Sequence, residues 1–305
     1  MTVPPTSAPA RAPASLAAGY PGSPVGATQP WLGLALAAAG LAAAGNVVGL
    51  LAAHRIYGNE TDVLADSSLA QDAVSLCLVV PLLLVLGLRA ARGSTRAYVC
   101  WLGCLAFTAY SYAIYAFALH FGPLFLLWTA VLGLSFYALI GSLVRADATG
   151  VHGRLAGRGQ GAMAWTLIAA ATLFGAVWLR EIVPDLLTGR ASTSASTMLL
   201  PTNPVHVLDL ALFLPAVLTS GVMLLRGKAF GHLTAPGLLV FLALTCVPVL
   251  VTPVVAVVRG HEPNWGVVGP LGLVLVLALA VLTRGLRGHA TGEDTTREET
   301  PCSTV

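Results

Sequence analysis

The sequence predicts an all-α integral membrane protein with eight transmembrane helices, and three observations carry that prediction. Hydrophobic residues fill 56% of the 305 positions and charged residues only 10%, at a mean hydropathy of +0.82. Soluble domains carry charge at about a quarter of their positions. The apolar residues fall into eight runs, each close to the ~20 residues that a helix needs to cross ~30 Å of hydrocarbon. Basic residues, finally, collect on alternate connections between the runs. No water is present in hydrocarbon to bond a backbone, so each span must satisfy its own N–H and C=O groups, and the spans are helices.

Residues 1–30 are rich in Pro, Ala, Ser and Gly, with Arg11 as their single charge, and read as a disordered cytoplasmic tail. The first span, about 31–53, is too long for a signal-peptide core and lacks a basic leader, so it is read as retained. Its Gly45-x-x-x-Gly49 suits close helix packing, and Asn46 suits a helix–helix hydrogen bond. The other spans fall at about 72–90, 97–118, 123–144, 163–183, 205–225, 235–257 and 266–283. The membrane domain is therefore 31–283, and 284–305 forms a second disordered cytoplasmic tail.

Orientation follows from charge. With the N-terminus inside, twelve basic residues lie on the cytoplasmic side and four (Arg55, Arg180, Arg190, Arg259) on the outer side. This is the positive-inside pattern, with both termini cytoplasmic. Acids run the other way: Glu60, Asp62, Asp66, Asp72, Glu181, Asp185, Asp209 and Glu262 are outer, as are His54, His120, His206 and His261. Fifteen arginines to one lysine, with abundant Ala and Gly, suggest a GC-rich bacterial genome and hence the bacterial plasma membrane.

An offset of 134 relates Leu76 to Leu210, Leu78 to Leu212, Pro81 to Pro215, Gly87 to Gly221, Arg92 to Arg226 and Gly93 to Gly227. Two parallel four-helix repeats would produce it, with an axis along the membrane normal and with Asp72 and His206 equivalent. Recurrence of Pro, Gly and Arg at helix ends in a Leu/Ala-rich chain would produce it as well, and the sequence leaves both open.

The outer rim holds the candidate chemistry. Asn203 has the place of an N-cap and Pro204 that of a first helical residue, since proline's missing N–H costs nothing there. His206 and Asp209 then share a helix face, Asp209 roughly 4.5 Å deeper at 1.5 Å per residue. Such a pair at the mouth of an apolar helix is a functional-site hypothesis, His206 acting as base or metal ligand and Asp209 orienting it. The bland alternative is a hydrogen-bonded pair that locks the helix to a neighbour. Asp72, preceded by Ser68-Leu69-Ala70-Gln71 in capping-box form, and His120 are expected to support the site. Tyr112 and Tyr115 are binding candidates that an aromatic belt explains as well. Arg180 and Glu181 are binding candidates beside Trp178 and Asp185; Arg180 can pair with an outer-rim acid or bind an anionic head group, and an ordinary interfacial charge cluster is the alternative. Glu60, Asp62 and Asp66 lack the glycine and terminal Glu of a calcium loop and read as a solvated acidic loop.

No Walker motif, H-E-x-x-H or G-x-S-x-G occurs, which excludes the usual nucleotide-hydrolysing, kinase and metalloprotease chemistries; no nucleotide cofactor is expected. A divalent metal on His206, Asp209 or His120 remains open. Five cysteines without a C-x-x-C disfavour redox chemistry, and Cys100 and Cys104, four apart, read as small packing residues. A net charge of +3 points to no nucleic-acid partner.

Asp72, the run from Tyr112 to Pro123 and Leu200-Pro-Thr-Asn-Pro-Val-His-Val-Leu-Asp-Leu-Ala-Leu-Phe-Leu-Pro215 together resemble an uncharacterised group of bacterial polytopic membrane proteins. The resemblance spans most of the membrane core and implies a bacterial multi-pass protein, with no activity attached. Three functions are expected to compete: an outward-facing site that binds or transforms a small or lipid-like molecule, a proton-coupled or metal permease, and a non-catalytic subunit of a membrane complex.

Overall fold

The computed structural model describes residues 25–287 apart from 156 and 158; the bulk of both expected tails lies outside the described residues. All regular structure among the described residues is helical, and eight helices are long and apolar enough to cross a membrane. The protein is an all-α, eight-span membrane protein. The spans are α1 (Pro30–Leu51), α2 (Asp62–Ala91), α3 (Thr95–Ala118), α4 (Phe125–Arg145), α5 (Gln160–Leu187), α6 (Pro204–Leu225), α7 (Ala229–Arg259) and α8 (Trp265–Arg287). The end of the bundle where α1 finishes and α2 begins carries His120, His206 and His261 and is termed the histidine end; the opposite one is the arginine end.

Local chemistry sets the boundaries. Asn203 caps α6, its Oδ1 accepting from the Val205 N–H at 2.9 Å. α2 begins well before the apolar run at 72, because Thr61 caps it, its Oγ1 accepting from Leu64 N at 3.4 Å. The Ser68–Gln71 capping box therefore does not form: Ser68 lies inside the helix and bonds Leu64 O, while Gln71 donates to Ser75 Oγ. α2 and α6 each end at an arginine followed by a glycine with positive φ, Gly93 at 95° and Gly227 at 64°.

Both of these helices contain a π-turn, at Ser75–Val79 and Asp209–Phe213. Each lies just ahead of a proline, Pro81 or Pro215. Proline lacks the N–H that an α-turn needs and its ring presses on the carbonyl four residues back; a widened turn there relieves both. The offset of 134 that relates the prolines also relates the π-turns, and it relates the starts of α3 and α7 at Thr95 and Ala229.

α1 to α4 pack as one bundle, α1 against α2 and α4, and α3 against α2 and α4. In the second half α5 packs on α6, and α7 on α6 and α8. The halves join through α7, which lies against α3 and α2. At that crossing Gly103 meets Gly237, another pair 134 apart, and a Cβ on Gly103 would strike the Gly237 backbone. α3 is almost wholly buried at the centre and α8 is peripheral. A short helix, Ala148–Leu155, ties the halves at the arginine end: the His152 ring meets the His232 ring edge-on at 4.2 Å, and His232 bonds the Gln160 amide.

Burial differs between the halves. In α1 and α4 buried positions run the length of the helix, from Ala35 to Gly49 and from Trp128 to Ser142. In α5 they stop at Ala171, and in α8 they are only Ala278 and Leu282, both toward the arginine end. α6 is buried at Val217, Ser220, Gly221 and Leu224, and then again only at His206. The second half is closed at the arginine end, where Gly285 lies against Met163, and α5, α6 and α8 bury few side chains toward the histidine end.

Candidate functional site

The structure separates the predicted site residues into two clusters, one in each half. In the second half, His206 is 5% exposed and sits in the first turn of α6. Its ring lies against Trp178 of α5 at 4.6 Å between centroids, tilted by 46°. Among the described residues its buried Nε2 has no hydrogen-bond partner, and the carboxylate within reach is Glu181, with Oε2 at 3.8 Å. Asp209 does not orient His206. Instead the Trp178 indole N–H donates to Asp209 Oδ2 at 2.8 Å, so one tryptophan touches both residues and keeps them from pairing. The π-turn begins at Asp209 and changes the phase of the helix there. Tyr110 of α3 faces the same carboxylate, which brings the central helix into this site.

The rim is made by the segment between α5 and α6. Glu181 Oε1 accepts from the Ser194 N–H at 3.1 Å, and Asn203 Nδ2 donates to Ser194 Oγ at 3.0 Å. Asp185 holds Thr193 through its N–H and hydroxyl. Arg180 is exposed and forms no ion pair among the described residues.

The first-half cluster surrounds Asp72, which is 2% exposed. Tyr57, from the short helix Ala53–Tyr57, donates to Asp72 Oδ2 at 2.6 Å. Tyr115 Oη lies 2.8 Å from Asp72 Oδ1 and 3.0 Å from the Ser68 carbonyl oxygen. Tyr112 stacks on Tyr115 at 5.5 Å and donates to Asn46 Oδ1 at 3.0 Å. Both tyrosines are buried, so they are core residues and not an aromatic belt. Gly49 is required here, because a Cβ would occupy the space of the Asp72 carboxylate and the Tyr57 hydroxyl. Beneath the cluster, beside the π-turn, lies a cavity of about 10 Å³ whose polar lining is Ser75, Thr108, Ser111 and Tyr112.

His120 joins neither cluster. It is 56% exposed and covers Glu60, whose side chain is 2% exposed; its backbone N–H and its ring reach the two carboxylate oxygens at 2.8 and 3.0 Å. Of the three acids read as a solvated loop, Asp62 is exposed, its side chain at 72%, and the other two are not. Asp66, 4% exposed on α2, accepts from Arg259 at 2.5 Å and lies 2.8 Å from His261 Nδ1, binding the first half to the end of α7. His206, Asp209 and His120 do not converge, and among the described residues no group of three His, Cys, Asp or Glu is placed to hold a metal ion.

Tyr57 is the residue that sequence reasoning missed, and Glu60 reads from the sequence only as part of a solvated loop. Tyr57 stands beside the turn residues Gly58 and Asn59, and no pattern marks it out. Trp178 was visible only as part of an interfacial cluster. A scan against protein-family models, a search of curated proteins and a search of solved structures each returned no match.

Proposed function

We propose that the chain is a bacterial plasma-membrane protein, histidine end outward and both termini cytoplasmic, whose second half takes an amphipathic, lipid-like molecule from the outer leaflet. The observation that carries this reading is the gap in buried positions on α5, α6 and α8 between their arginine-end halves and His206, whose ring nitrogen is buried with no hydrogen-bond partner among the described residues. An apolar tail enters between α5 and α8, where both helices lack buried residues, and lies against partly buried hydrophobics such as Phe174, Leu214, Val251 and Val274. The polar head meets His206 Nε2, Glu181 and the Trp178 ring. Aromatic and polar groups at one level suit a molecule that is wet at one end and apolar at the other. The π-turn beside Asp209 supports the same place, since such turns gather at functional sites.

A permease reading is less well supported, because it needs a polar path to both ends. The arginine-end half of this region is closed by Met163, Leu167, Ala171, Val217 and Leu224.

The test is mass spectrometry of amphiphiles extracted from detergent-purified protein, wild type against His206→Ala. The expected result is a species enriched over bulk membrane lipid in the wild type and depleted in an equally well folded variant. Identical profiles matching bulk lipid in both would sink the reading.

A further inference from the structure

Asp72 belongs to a different half from the proposed lipid site and plays no part in it, yet it is among the most buried polar groups of the chain. Among the described residues no cationic side chain pairs with it. Each element around it supplies only neutral groups: Tyr57 from the short helix, Tyr112 and Tyr115 from α3, Asn46 and Gly49 from α1. The one arginine that α7 offers at this level, Arg259, is committed to Asp66.

The hydrogens around this group can be counted. A phenol carries one hydrogen, and a peptide carbonyl only accepts. Tyr57 donates to Asp72 Oδ2. Tyr115 Oη is within bonding distance of two groups, the Ser68 carbonyl and Asp72 Oδ1. If Tyr115 gives its hydrogen to Ser68, the second contact needs a hydrogen on the carboxyl oxygen. The chain then runs one way, from Tyr57 O–H to Asp72 Oδ2, from Asp72 Oδ1–H to Tyr115 Oη, and from Tyr115 O–H to Ser68 O, with every contact satisfied. In the other arrangement Tyr115 gives its hydrogen to Asp72 Oδ1, the shorter of its two contacts, and the Ser68 carbonyl keeps its helix bond. It leaves a buried carboxylate with two phenol donors and no cation, which is the costlier choice.

We propose that Asp72 is a proton-binding site, carrying a proton in this structure, which gives the protein a proton-linked function separate from its lipid site. Two further features fit proton exchange at this place. The Asn46 Nδ2 group, one hydrogen bond beyond Tyr112, is buried and has no partner among the described residues. A cavity of about 10 Å³ reaches Tyr112 from the side of Ser75, Thr108 and Ser111, close to the volume of one water.

The test is infrared difference spectroscopy of the full chain in lipid nanodiscs at neutral pH. A carbonyl stretch of a protonated carboxylic acid, shifting in D2O, is expected in the wild type and in Asp209→Asn and is lost in Asp72→Asn. An amide reproduces each hydrogen bond of the acid, so Asp72→Asn is also expected to keep the wild-type thermal midpoint. Tyr115→Phe, which removes the acceptor of the carboxyl hydrogen, is expected to move the band to higher wavenumber. No such band in the wild type, or a band indifferent to both variants, overturns the proposal. A band bleached by sodium chloride but not by choline chloride at constant pH overturns it in favour of an alkali cation held by the same oxygens.

Discussion

Trp178 does at the scale of one residue what the sequence expected a His206–Asp209 pair to do. Its ring covers the imidazole and its N–H holds the carboxylate, so the two titratable groups are organised through an aromatic intermediary. Trp178→Phe preserves the ring face and removes the donor. Combined with Asp209→Asn in a double-mutant cycle on thermal stability, it is expected to show a coupling of about 0.5–3 kcal/mol, the range for residues in one hydrogen-bond network. Strictly additive effects would mean that the indole bond contributes nothing. The sequence placed Trp178, Glu181 and Asp209 at one membrane level, because level follows from position along a helix. It could not tell which of them touch, since that depends on helix rotation.

Rotation is a property of the element, and here the π-turns decide it. The extra residue in Asp209–Phe213 turns the start of α6 relative to the rest, and its counterpart in Ser75–Val79 does the same for the start of α2. Removing Ala211 restores an α-turn and swings His206 by about 100°, one residue's share of a 3.6-residue turn. In a chain without native cysteines, Glu181→Cys and His206→Cys are expected to be joined by a short bifunctional thiol reagent, because the tips of the parent side chains approach to 3.8 Å. The same pair is expected to stay unlinked once Ala211 is deleted; crosslinking in both backgrounds would show that the π-turn does not set the phase. Pro81 and Pro215 were the available signals for these turns. A proline in a membrane helix also kinks it, so the residue alone does not distinguish the two outcomes.

The whole molecule is two four-helix halves joined by α7. Their contact combines the Gly103–Gly237 crossing with the Asp66–Arg259–His261 cluster at the histidine end. Arg259→Ala leaves the nearly buried Asp66 carboxylate with His261 alone. The expected loss is about 1.5–3 kcal/mol, the range for hydrogen bonds to charged groups, read as a lower midpoint in a thermal size-exclusion assay. An unchanged midpoint would place the docking energy in the glycine crossing. Pairs 134 apart recur in the π-turns, the prolines and this crossing.

By itself the sequence determined the eight spans, their helical nature and the concentration of titratable groups at one end. Each of these depends on about twenty contiguous residues and on the backbone's need to bond internally in hydrocarbon. Tertiary structure alone decided that Asp72 meets Tyr57 and Tyr115, 15 and 43 residues away in the chain, and that His206 meets Trp178. It also decided that the acids at 60 and 66 are buried and paired. The physical reason is that a side chain's partners depend on which helices cross and how each is rotated, and a one-residue π-turn changes that rotation without changing the hydropathy of the span.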